Sequence, residues 1–131
     1  MKLPPLLLSR LSPLVEAARG EPLVEPALSL VVHDEFALRI ESELGVFSFD
    51  RARCVVEHDG RQLASFADIA SVDIDAFPGG RGQPSWGLSL YASFLRRVAL
   101  GRTYDDGTAS VVAARLARAI GCKVVAVALR R

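Results

Sequence analysis

The chain has 131 residues, is 50% hydrophobic, and carries 16 basic against 15 acidic side chains for a formal charge of +1. That length fits one domain, and the apolar content excludes wholesale disorder, which needs low hydrophobicity and high net charge. The near-neutral, interspersed charge argues against a dedicated nucleic-acid binder, which would show a basic stripe.

Residues 1–26 form a Pro-rich N-terminal arm holding Pro4, Pro5, Pro13, Pro22 and Pro26. Within it, Ser12 as N-cap, Pro13 at the first helical position and Gly20 as terminator predict a short helix. Its apolar residues need a cover, either the chain's own domain or a partner. The Leu run is too short for a signal sequence and is interrupted by Arg10. No stretch reaches the roughly 18 apolar residues of a membrane span. The expectation is a cytoplasmic protein, with peripheral membrane contact as the other option.

From Ala27 the rhythm changes to period two. Leu28, Leu30 and Val32 alternate, as do Phe36, Leu38 and Ile40, and then Phe47 and Phe49. Alternation of this kind marks half-buried strands. Asp59-Gly60 predicts a hairpin turn, because Gly accepts positive φ. In "ADIASVDIDAF" the offset between Ile69 and Val72 predicts a bulge near Ala70. A Gly/Pro-rich loop at 78–84 follows. In the next segment Trp86, Leu88 and Leu90 share one strand face, and Gly87, Ser89 and Tyr91 the other. "RRVALGR" gives a further strand. About six or seven short strands in 27–102 predict a mainly antiparallel β-sandwich or barrel. From Thr108 to Ile120, Ala109, Val112, Ala113, Leu116 and Ile120 make one helical stripe, which Gly121 ends. "CKVVAVAL" reads as a final strand or an extended tail. The fold class is therefore α+β, with residues 27–131 as one domain closed by helix 108–120.

The chemistry-bearing candidates are few. "GRTYDDGTAS" (101–110) is similar to the Asp-x-Asp-Gly-Thr signature of haloacid dehalogenase phosphatases, but Tyr104 stands where the nucleophilic Asp belongs. A calcium loop would need a Glu where Ala113 stands. Asp105 or Asp106 serves better as a helix cap. Nucleophilic catalysis needs a Ser or Cys beside a positioned base. The two histidines and the lack of a Gly-x-Ser-x-Gly elbow point to a non-enzymatic chain with no cofactor and no metal. Cys54 and Cys122 sit in apolar, strand-like surroundings and read as small buried hydrophobes. Asp73 and Asp75 share one strand face, which is consistent with acid–base work but is more often just the solvated face of a strand. Trp86 belongs to the core or lines a groove beside the 78–84 loop. Arg81, Arg96 and Arg97 lie near loops and are the candidates for an anionic ligand.

The runs "FSFDRARCVVEHDGRQLASFADIASVDI", "WGLSLY" and "RRVALGRTYDDGTASVVAARLARAIG" together resemble a bacterial pleckstrin-homology-like (PH-like) domain, over residues 44–121. The resemblance implies a bent β-sandwich with its helix at one open end. It also implies binding or scaffolding rather than catalysis, commonly beside a membrane. The basic cluster that holds phosphoinositides in some of these domains is absent, so no lipid site is carried over. The expected function is an interaction module for a protein partner or a second copy of the chain. The alternative is a small-ligand domain with a pocket near Trp86, the 78–84 loop and Asp73/Asp75.

Overall fold

A computed structural model describes residues 25–34, 37–79, 82–93 and 96–127. The N-terminal arm, apart from its last two residues, and Arg81 lie outside these.

The first sheet is a five-stranded antiparallel meander: β1 (Ser29–Asp34), β2 (Ala37–Ser42), β3 (Gly45–Asp50), β4 (Val55–His58) and β5 (Arg61–Ser65). Register places Ile40 opposite Phe47, and Phe49 between Leu38 and Val56. These residues fill the core face, as their period-two spacing requires. The β4–β5 hairpin turns at Asp59 and Gly60, with φ 49° and 87°. Positive φ at both positions is what the right-handed twist of a two-residue hairpin needs. Between β3 and β4 the Asp50 Oδ1 accepts from the backbone N–H groups of Ala52 and Arg53, which holds a tight turn. Cys54 closes that turn at φ 56° and is exposed. The strand-like reading of Cys54 as a buried hydrophobe is thus corrected: the turn, not the following strand, owns it.

A short 3-10 turn (Phe66–Asp68) leads into the second sheet. Its strands are β6 (Ile69–Phe77), β7 (Ser85–Ala92), β8 (Arg96–Thr103) and β9 (Lys123–Val127), in the order β8-β7-β6-β9. The register shifts between Ile69 and Ser71, leaving Ala70 as the extra residue of a bulge. β6, β7 and β8 are antiparallel neighbours, but β9 runs parallel to β6. A parallel partner cannot be reached by a hairpin. The chain gets there through helix α1 (Asp106–Ile120), which crosses from β8 to the opposite edge of the sheet.

The helix is set at both ends by local chemistry. Asp105 is the N-cap: its carboxylate accepts from the backbone N–H groups of Gly107 and Thr108 and from the Thr108 hydroxyl. Gly121, at φ 89°, ends it in the left-handed conformation that glycine adopts without cost from a Cβ. Ala109, Val112, Ala113, Leu116 and Ala117 are buried. Val112, Ala113, Leu116 and Ala117 join one core with Ile40, Phe47, Phe49 and Val56 of the first sheet and Val72, Leu88, Leu90 and Leu100 of the second. Fully burying each large aliphatic side chain contributes about 1.5–3 kcal/mol.

The sheets are also tied by polar contacts. The Ser42 hydroxyl donates to the Leu100 carbonyl, and the Arg102 N–H donates to the Glu43 carboxylate at 2.9 Å. The Arg96 guanidinium donates to the Leu63 carbonyl at 2.9 Å. Gly101 sits at this junction with φ 144°, where a Cβ would meet Ser42 Cβ and Oγ. Among the described residues no helix is long and apolar enough to cross a membrane. The architecture is α+β and mainly antiparallel: two sheets and one described helix around a single core.

Candidate functional site

Val72, Leu88 and Leu90 turn into the core, so their strand neighbours turn to the opposite face of the second sheet. Register lays that face out in rows across the strands. Asp75 lies beside Gly87, and Gly87 beside Arg102; Asp73 lies beside Ser89, and Ser89 beside Ala99; Ser71 lies beside Tyr91, and Tyr91 beside Arg97. β9 adds Lys123 beside Ser71 and Val125 beside Asp73.

A polar cluster occupies the middle of this face. Asp73 is 4% exposed. Its Oδ1 accepts from the Ser71 hydroxyl at 2.6 Å, and its Oδ2 from Arg97 Nη2 at 3.2 Å. The other guanidinium nitrogen, Nη1, reaches Asp75 Oδ2 at 3.5 Å. One guanidinium thus bridges two carboxylates that stand two residues apart on one strand. The Arg97 side chain is 50% exposed, so water screens its end of the pair. A desolvated carboxylate without a partner would be costly, and Ser71 and Arg97 together supply the partners.

Ser89 stands directly opposite Asp73 and is buried, yet its Oγ has no hydrogen-bond partner among the described residues. Buried polar atoms are nearly always paired, so this hydroxyl is the exception on the face. The Cys122 thiol is held above its ordinary value first by burial and then by the negative charge of Asp73. Toward one end of the face, the Phe77 ring covers Gly87, where a Cβ would come within 2.8 Å of it. The Arg102 guanidinium lies over the same ring at 4.0 Å, a cation–π contact.

The structure brings three of the sequence candidates together: Asp73, Asp75 and Arg97. It sets Trp86 and Arg96 apart from them, and Arg81 lies outside the described residues. Trp86 has the parity of Leu88 and lies on the core-side face of β7, across the sheet from the two acids. Arg96 is spent on the first sheet through Leu63. Sequence reasoning missed Ser71 and Ser89 as members of the cluster. The signal was present in part, because alternation in "WGLSLY" already put Ser89 and Tyr91 on the face away from Leu88 and Leu90. Among the described residues no three His, Cys, Asp or Glu side chains converge as metal ligands would. No protein-family model, no curated protein and no solved structure matches this chain.

Proposed function

We propose that the chain is a non-enzymatic interaction module of PH-like, two-sheet sandwich architecture, which engages a protein partner through the cluster face of its second sheet. The observation that carries this reading is the buried Asp73, held by the Ser71 hydroxyl at 2.6 Å on the sheet face turned away from the core. A solvated strand face does not ordinarily hold a desolvated carboxylate, whereas a recognition surface benefits from charged groups that are held in place before the partner arrives.

The test is site-specific photo-crosslinking in cells that make the protein. A benzoylphenylalanine at Tyr91, on the cluster face, is expected to give one discrete crosslinked protein species. The same group at Arg118, on the exposed side of α1, is expected to give none. Equal crosslinking at both positions, or none at Tyr91, would overturn the reading.

A further inference from the structure

The cluster is short of one positive charge and has one hydrogen-bonding atom to spare. Asp73 and Asp75 bring two negative charges and Arg97 one positive charge, which leaves the group net negative. Arg102 and Lys123 border the face, but neither forms an ion pair with the two acids among the described residues; Arg102 is turned onto Phe77 instead. Arg97 itself is loosely engaged. Its contacts of 3.2 and 3.5 Å are at and beyond the long end of the hydrogen-bond range, and they are split between two acids rather than forked onto one. Beside the pair, the buried Ser89 Oγ faces the same side as Asp73 and accepts from nothing.

These features define the chemistry of what is missing. A group that donates several N–H bonds and carries one positive charge would neutralise the acids and satisfy Ser89 at the same time. A metal ion is a poorer fit, because only two carboxylates converge and one guanidinium already lies on them. We propose that Asp73, Asp75 and Ser89 form a receptor for one guanidinium or primary ammonium group, presented by an arginine or lysine side chain of the partner protein, with Arg97 as the internal stand-in that shifts when it binds. The source follows from the interaction-module reading above, on which this inference rests; the chemistry of the slot stands by itself.

The experiment is an amide NMR titration of the full chain with ethylguanidinium chloride and n-butylammonium chloride. Tetramethylammonium chloride, which has the same charge and no N–H donor, serves as the control. Saturable shifts centred on residues 73, 75 and 89 are expected for the first two salts only. Ser89→Ala should weaken binding by about tenfold, the loss expected for a hydrogen bond to a charged group, and leave the fold intact. Asp75→Asn, at a part-exposed position, should weaken it as well. Equal shifts with tetramethylammonium, no saturation, or unchanged affinity in Ser89→Ala would each overturn the slot. The source is read separately, from the Tyr91 crosslink in the Ser89→Ala and Asp75→Asn proteins. Loss of the crosslink supports a partner side chain, and persistence beside intact amine binding in the wild type overturns that source in favour of a free amine. A wild-type crosslink without any amine binding sinks the slot and leaves the interaction module standing. Amine binding without a wild-type crosslink does the reverse.

Discussion

Along β6 and β7 the two faces of the second sheet are buried almost alike but by different means. On one side Val72, Leu88 and Leu90 are at most 1% exposed; on the other Ser71, Asp73 and Ser89 are 4–5% exposed. The apolar side closes on the first sheet and on α1, and its burial is favourable wherever the shapes fit. The polar side gains nothing from leaving water. It persists because Ser71, Arg97 and Asp73 bond one another, and Ser89 is left outside that arrangement. The first face is built for stability. The second is tolerated by the fold, as a surface with the proposed binding role would be.

The largest expected effect lies on the first face. Leu90→Ala should lower the free energy of unfolding by about 2–5 kcal/mol, measured by urea denaturation, because it removes buried methyl groups and leaves a cavity in the core. Next comes the junction with the first sheet. At Gly101 both the positive φ and the approach of Ser42 oppose a side chain. Gly101→Ala should cost about 1–3 kcal/mol in the same assay. A loss well below that range would show that the sheets can part at β8 without penalty, and would weaken the view of one continuous core.

The cap of α1 gives a smaller and pH-dependent effect. Asp105 is held below its ordinary value of 3.8, first by the Thr108 hydroxyl and then by the backbone N–H groups of Thr108 and Gly107. A carboxyl lowered on folding stabilises the protein above its unfolded value, and that contribution is lost as the pH falls through the folded value. Asp105→Ala should therefore lower Tm by about 4 °C at pH 7, and the gap to wild type should close at pH below the ordinary carboxyl value. Asp106→Ala should move Tm less, because of the two aspartates it is Asp105 that accepts from the first-turn N–H groups among the described residues. Equal losses in the two variants would transfer the effect from the cap bond to the helix dipole.

Much of this was legible in the sequence wherever the cause is local. Asp59-Gly60, the bulge at Ala70 and the Gly121 terminator each depend on residues adjacent in the chain, and each appears as the spacing predicts. The cap was narrowed to two neighbouring aspartates, and hydrogen-bond geometry selects Asp105. What the sequence did not disclose is non-local. Period two assigns a side chain to a face but does not say which strand lies beside it. Asp73 and Asp75 could be placed on one face from "VDID", whereas their union with Arg97 depends on β8 lying two strands away in a particular register. The parallel pairing of β9 with β6 is hidden for the same reason. Trp86 shows the converse: its closeness in sequence to the 78–84 loop invited a shared pocket with the acids, and strand parity puts the sheet between them.

The smallest stability change is expected at Ser89, and it discriminates best between the two faces. If the polar face were simply a second core held by hydrogen bonds, removing a buried hydroxyl from it would destabilise the protein. Ser89 Oγ makes no such bond among the described residues, so Ser89→Ala removes a desolvated polar atom and no partner is left unpaired. Its Tm should be unchanged or raised by about 1–3 °C, read by calorimetry. A Tm lowered by more than that would show that the hydroxyl contributes to the folded state as its neighbours do, and the distinction between a face that stabilises and a face proposed for recognition would fail.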